Sequence, residues 1–226
     1  MSGRNREEAR ALPVRVIVLA KRPVAGRVKT RLTPPYPPEL AASLAAAALD
    51  DTLRAVSAAP VLARTLAFDG RPDGWLRPGY EHVRQRGDEL ADRLTAAFAD
   101  AYARRPLPAL LVGMDTPQLR PALLAAAART LLGAATDAVL GPATDGGYWL
   151  AGLRRPHPRA FAGVPMSTSW THAAQHARFE RLGLRTALLP RLTDVDDAAT
   201  AAAVAAAAPD TAFARLHATA RIEVDA

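Results

Sequence analysis

Short apolar runs alternate along the chain with longer Ala- and Leu-rich stretches of helical spacing. Val14–Ala20 is apolar at every position but Arg15, the mark of a strand buried on both faces. Pro38–Ala59 predicts a helix, with Pro35, Pro37 and Pro38 at its start and Pro60 at its end. Val61–Phe68 predicts a second strand and His82–Gln85 a third, short one. Across Asp88–Arg104, the residues Leu90, Leu94, Ala97, Phe98 and Ala101 recur at three- and four-residue intervals, the stripe of a helix buried on one side. Ala109–Gly113, Ala138–Leu140, Gly147–Gly152 and Arg185–Leu189 predict further strands. Pro121–Leu132, Thr171–Leu182 and Ala198–Ala207 predict further helices, the last of them closing the chain.

Strand–helix alternation of this kind implies a mainly parallel sheet covered by helices. Gly141–Phe161 breaks the alternation and predicts an antiparallel excursion inside that sheet. No internal repeat interrupts the pattern, and 226 residues suit one α/β domain. In open sheets of this class, ligands gather beyond the carboxyl ends of the strands. Four polar segments fall there: Lys21–Arg31, Gly113–Leu119, Gly141–Tyr148 and Thr193–Asp197.

Composition changes this picture in three ways. Half of the residues are hydrophobic but only 5% are aromatic, so the core is expected to consist of Ala, Leu and Val in closely packed elements. The net charge is +7, which favours an anionic ligand. The cations are nearly all Arg, with Lys21 and Lys29 the only lysines, and they are spread along the chain rather than gathered in a tract. No aromatic–basic interleaving of the nucleic-acid-binding kind occurs. Cysteine is absent, which excludes disulfides and thiolate chemistry. No apolar run approaches the ~20 residues of a membrane span, and residues 1–12 lack the apolar core of a signal peptide. A cytoplasmic protein with a disordered extension over residues 1–12 and one domain over 13–226 is therefore expected, with no nucleic-acid or membrane partner.

The first segment joins turn-forming Pro23 and Gly26 to the cations Lys21, Arg22, Arg27, Lys29 and Arg31. Backbone donors with Lys and Arg heads suit a di- or triphosphate, although the glycine spacing of a Walker loop is missing; a solvated basic turn is the alternative. The second puts Asp115 directly after a buried strand. There it serves either as a hard-cation ligand or as a helix cap. The third, Asp145-Gly146-Gly147-Tyr148-Trp149, reads as a glycine-shaped pocket wall or as a hairpin turn. The fourth places Asp194 and Asp196 on one face of an extended segment, within reach of one metal, with Asp196 or Asp197 also suited to capping the next helix. His172 and His176 stand four apart without a third ligand, and no GxSxG elbow is present.

Taken in order, "AKRPVAGRVKTRL", "QRGDELADRLTAAFADA", "LLVGMDTPQL", "GPATDGGYWLAGL", "VPMSTSWT" and "LPRLTDVDD" resemble a family of GT-A-fold transferases found beside radical-SAM enzymes. That family is distantly similar to the 2-phospho-lactate and molybdenum-cofactor guanylyltransferases. The resemblance runs from about Val14 to Asp197. It implies a single-domain nucleotide-diphospho-sugar transferase-like three-layer fold with a mainly parallel mixed sheet; the sequence leaves monomer and homodimer both open. It also implies a nucleotide held by Ala20, Lys21, Pro23, Gly26, Lys29, Arg31, Gln85, Gly87, Asp88 and Gly113, with Lys29, Arg31 and Asp115 catalytic. Mg²⁺ or Mn²⁺ is implied on Asp115 with Asp194 and Asp196. An acceptor pocket is implied at Thr144, Asp145, Gly146, Gly147, Tyr148, Ser167 and Thr168. After Ser167-Thr168 the family pattern leads to a Pro-Arg-Thr-Gly-like run, where this chain has Ser169-Trp170-Thr171-His172.

The leading expectation is a Mg²⁺-dependent transfer of a nucleotidyl group from an NTP to a small phosphate- or phosphonate-like acceptor, releasing pyrophosphate. A triphosphate carries about four negative charges, which is the load that a Lys- and Arg-rich loop and a metal are suited to. Glycosyl transfer from a nucleotide-sugar is the alternative, and a non-catalytic nucleotide-binding module the second.

Overall fold

The computed structural model describes residues 11–225, with side chains to residue 220. Most of the extension expected over residues 1–12 lies outside the described residues, but Leu12 already belongs to the first strand. The elements are β1 (Leu12–Lys21), a 3-10 turn (Thr30–Leu32), α1 (Pro38–Ala58), β2 (Val61–Asp69), β3 (Tyr80–Arg84), α2 (Leu90–Arg104) and β4 (Ala109–Val112). They continue with α3 (Pro121–Leu132), β5 (Ala138–Pro142), β6 (Tyr148–Leu153), α4 (Thr171–Arg181), β7 (Thr186–Leu188), α5 (Ala198–Ala207) and α6 (Ala212–Asp225).

All seven strands form one sheet in the order β3-β2-β1-β4-β6-β5-β7. β1 pairs in parallel with β2 and β4, β2 with β3, and β5 with β7. β6 runs against both β4 and β5, so the break in alternation at Gly141–Phe161 is one reversed strand. The central strands carry apolar residues on both faces because helices cover both: Val14, Val16, Ile17, Val18 and all of β4 are buried.

One face packs Val16, Val18, Leu66 and Phe68 against Leu49 and Leu53 of α1 and Leu124 and Leu131 of α3. The other packs Ile17 and Leu111 against the Leu94, Phe98 and Ala101 stripe of α2 and against Phe161 and Phe179. Phe161 stacks on Phe98 at 5.6 Å and meets Phe179 edge-on at 6.1 Å. These few aromatics make the bulk of a face otherwise built from Ala and Leu. Among the described residues, no helix is long and apolar enough to cross a membrane.

The chain does not close with α5, as the sequence pattern predicts. It turns at Pro209 and forms α6, which packs Phe213 and Ala220 on Leu44 and Ala48 of α1. Asp51, buried in α1, accepts hydrogen bonds from the first amides of α6, Ala212 N at 3.0 Å and Phe213 N at 2.8 Å. Those amides have no partner within their own helix, so the carboxylate both caps α6 and fixes it to the domain.

Strand order determines where a ligand fits. From β1 the chain passes to β2 and β3 on one side, then crosses to β4 on the other side of β1. The crevice beyond β1 and β4 is thus a topological switch point, the place where open α/β sheets bind ligands.

Candidate active site

A cleft of about 890 Å³ lies at this switch point, large enough for a nucleotide with room beside it. The loops after β1, β3 and β4 form one side. The turn from β5 to β6, the 166–171 segment and the loop after β7 form the other.

The cleft brings together, from the residues that the resemblance implies, Ala20, Lys21, Lys29, Arg31, Gln85, Asp88, Gly113 and Asp115 on the first side. On the second it gathers Asp145, Gly147, Tyr148, Ser167, Thr168, Asp194 and Asp196. Pro23, Gly26, Gly87, Thr144 and Gly146 do not line it. Pro23 and Gly26 belong to the loop that follows β1, with Gly26 at φ +72°. Gly87, at φ +112°, presents its carbonyl to Arg93 Nε at 3.2 Å. Gly146, at φ +91°, has no room for a side chain: a Cβ there would overlap the Ser169 carbonyl. Its own carbonyl accepts from His172 N at 2.8 Å, so it lets the 166–171 segment close over the turn rather than meeting a ligand itself. Thr144 stays outside, exposed, with its amide bonded to the Leu192 carbonyl at 3.0 Å.

Lys29 is the hub of the first side. Its backbone is left-handed, at φ 47°, and its side chain is 10% exposed. The ammonium lies 2.9 Å from Asp115 Oδ1 and 4.0 Å from Asp196 Oδ1, and donates to the Val195 carbonyl. Val195 N in turn donates to the Asp115 carbonyl at 2.9 Å. Three loops separate in sequence are thus joined at one cation. Arg31 pairs with Asp196 at the rim. Gln85 spends its amide N–H groups on the carbonyls of Ala20, at 2.7 Å, and Ala67, at 2.9 Å. It thereby ties the ends of β1 and β2 together under the cleft floor.

Sequence reasoning missed Arg93, a cleft residue on the first turn of α2 with Nη1 3.5 Å from Asp69. It also missed Met114 and Met166, which supply apolar lining. Arg93 stands inside the recognised "QRGDELADRL" segment, the one signal that pointed to it.

Asp145 is held by the Gly147 amide, which donates to its Oδ1 at 2.7 Å. Burial, and then the charge of Asp145, push the Asp194 carboxyl up to about 6. Burial likewise raises the Tyr148 phenol. His172 is lowered by burial, then by His176 and Arg191, and the His172–His176 pair is a stack at 6.4 Å.

No three His, Cys, Asp or Glu side chains converge as a metal cage among the described residues. A site for a hard cation shared with substrate phosphates needs only one or two carboxylates, and the donors here are carboxylate oxygens alone. The ammonium already seated on Asp115, and an Asp194 charge that burial and its neighbours disfavour, both mark a place where positive charge is accommodated. On those grounds the residues fit a divalent cation.

The Asp194 shift has a measurable consequence. Below about pH 4 both folded and unfolded chains hold the proton, and no penalty arises. As pH rises to 6 the unfolded chain ionises first, so stability falls, and the full penalty stands above that. Asp194→Asn is expected to remove this fall. In urea unfolding with chelator, the variant should gain on the order of 1 kcal/mol over the wild type at pH 7, allowing for screening of a partly exposed group, and only a small part of that at pH 4. A difference independent of pH would contradict the placement of Asp194.

The family described as "Uncharacterized protein conserved in bacteria", DUF2064, matches residues 44–168. No curated protein matches the sequence. A solved structure from Desulfovibrio desulfuricans G20, provisionally named a nucleotide-diphospho-sugar transferase, is 26% identical with a TM-score of 0.82. That alignment covers 94% of this chain and 95% of that one. CMP:2-keto-3-deoxy-manno-octonic acid synthetase complexed with CTP aligns over 87% of this chain and 99% of its own, with TM-score 0.53 and 12% identity. A cytidylyltransferase from Leptospira borgpetersenii serovar Hardjo-bovis (strain JB197) aligns over 82% of each chain, with TM-score 0.53 and 10% identity. The architecture is that of the nucleotide-diphospho-sugar transferases, a single α/β domain around a mixed, mainly parallel sheet.

Proposed function

This chain belongs to the DUF2064 family, and from that premise we propose that it is a nucleotidyltransferase, moving a nucleotidyl group from an NTP to a small acceptor and releasing pyrophosphate. The observation that carries the reading is the concentration of cations at the switch point. Lys21, Lys29, Arg31 and Arg93 all line the side formed by the loops after β1, β3 and β4. Four cations match the charge of a triphosphate and of the pyrophosphate that leaves it. Two of the fold neighbours agree with this use of the scaffold: one is a complex with CTP and another is named a cytidylyltransferase.

In this reading the β- and γ-phosphates lie along Lys29 and Arg31. Lys29 exchanges Asp115 for phosphate oxygen as the nucleotide enters. The acceptor attacks the α-phosphorus from the Asp145–Tyr148 side. The new bond from acceptor to phosphorus forms as the bond to the bridging oxygen breaks, and pyrophosphate departs with the electron pair. Lys29 and Arg31 stabilise the charge that builds on it. A bound Mg²⁺ or Mn²⁺ would supply further neutralisation, and Asp115 and Asp194, with Asp196 beside them, are the residues that would hold it.

Glycosyl transfer from a nucleotide-sugar is the second reading, favoured by the name of the D. desulfuricans neighbour. Incubation with NTPs labelled at the α-phosphorus, together with a small-molecule extract, separates the two. Label in a new species, with pyrophosphate released in equal amount, is the expected result. Label left untouched, while nucleotide-sugars are converted to free nucleoside diphosphate, would establish the second reading instead.

A further inference from the structure

The two sides of the cleft differ in charge. The side formed by the loops after β1, β3 and β4 holds the four cations, beside Asp88 and Asp115. The side formed by the β5–β6 turn, the 166–171 segment and the loop after β7 holds carboxylates and hydroxyls, with no Lys or Arg among its described lining residues. Arg191, on the loop behind, directs Nη1 to the Ala143 carbonyl at 3.2 Å. Ser167, Thr168 and Ser169 face the cleft from the 166–171 segment, which contains no Lys or Arg. Met166 and the Tyr148 ring, 3.7 Å apart at Sδ and OH, add an apolar patch. Asp145 is not among the residues that would hold a metal, so its charge remains for the acceptor.

Resting on the nucleotide-transfer reading, the geometry points to an acceptor that presents hydroxyl or amine groups and bears no net negative charge, such as a polyol, a sugar or an amino alcohol. A phosphate or phosphonate, the acceptor expected from the sequence, would face Asp145, while Lys29 and Arg31, the cations that reach this side, are engaged at Asp196. Its desolvation would go uncompensated. A hydroxyl or ammonium instead donates to Asp145, while the serine and threonine hydroxyls, donors and acceptors both, match a polyhydroxylated skeleton. During transfer an acceptor hydroxyl passes its proton to Asp145 as its oxygen bonds to the α-phosphorus and pyrophosphate leaves.

The test is calorimetry on wild-type protein in two steps. The first is titration with non-hydrolysable NTP analogues and Mg²⁺, whose failure to bind would count against the parent reading alone. The second titrates the protein, with and without the analogue, with matched probes: ribitol against ribitol 5-phosphate, N-acetylglucosamine against its 1-phosphate, and ethanolamine against phosphoethanolamine. The expected result is at least tenfold tighter binding of the unphosphorylated member in a pair, with Asp145→Asn cutting that preference severalfold. Tighter binding of the phosphorylated member overturns the inference. So does binding of neither series at millimolar concentration, because this wall would then not be the acceptor side.

Discussion

Lys29→Ala is expected to lower kcat/KM for an NTP by about ten- to 150-fold, the equivalent of one charge-assisted contact of roughly 1.5–3 kcal/mol. Loss should show equally in affinity for a non-hydrolysable triphosphate. Lys29 occupies the left-handed region, and alanine meets the same backbone cost there as lysine does. Backbone strain therefore does not contribute to the difference. The Lys29 partners Asp115 and Asp196 are 39% and 33% exposed, so water screens the charges left behind. The buried stem and the bond to the Val195 carbonyl are lost, however, and the melting temperature should fall by a few degrees while the protein stays folded at assay temperature. A Lys29→Ala protein that turned over NTP at the wild-type rate would remove the phosphate-clamp role.

Gly146→Ala should have the largest effect on stability of any substitution at the cleft. At φ +91° an alanine is strained, and its methyl group would overlap the Ser169 backbone. Backbone strain and overpacking each cost about 1–3 kcal/mol. A loss on the order of 3 kcal/mol should lower the melting temperature by roughly 6–12 °C in a chain of this size. Turnover should fall as well, because Ser167, Thr168 and Ser169 sit on the displaced segment. Thr144→Ala, two residues away but exposed and outside the cleft, is the control expected to change neither. If both variants melt like the wild type, the 166–171 segment is not packed on Gly146 as described.

The fold was legible in the sequence wherever burial wrote a strong pattern. β1 and β4 lie within a residue or two of their apolar runs because both faces of each strand are covered. The antiparallel β6 was announced only by a break in strand–helix alternation. β3 runs Tyr80–Arg84 rather than His82–Gln85, since its edge position leaves Glu81 and His82 half-buried and blurs the pattern. α6 was missed because Pro209 follows an Ala-rich run that looked like an ending. The signal that could have found it is local: Thr211 Oγ1 accepts from Ala214 N at 3.1 Å, an N-cap ahead of Phe213, Leu216 and Ala220 at helical spacing.

The site was legible as four loop segments but not as a set of contacts. Lys29 and Asp115 were each expected to meet a ligand, one as phosphate clamp and the other as metal ligand. Their pairing with each other, across 85 intervening positions, is a property of the switch point that no spacing encodes. Arg93 joins the cleft only because α2 begins beside the end of β2. The confinement of the lining cations to one side comes from sheet order, which puts β1–β3 and β5–β7 on opposite sides of the crevice.

The most direct measurement is isothermal titration of the wild type and Lys29→Ala proteins with non-hydrolysable NTP analogues and with nucleotide-sugars, in Mg²⁺. A triphosphate that binds the wild type more tightly than any nucleotide-sugar, and loses at least tenfold on Lys29→Ala, is the predicted result. Binding confined to nucleotide-sugars, or triphosphate binding indifferent to Lys29→Ala, would contradict it.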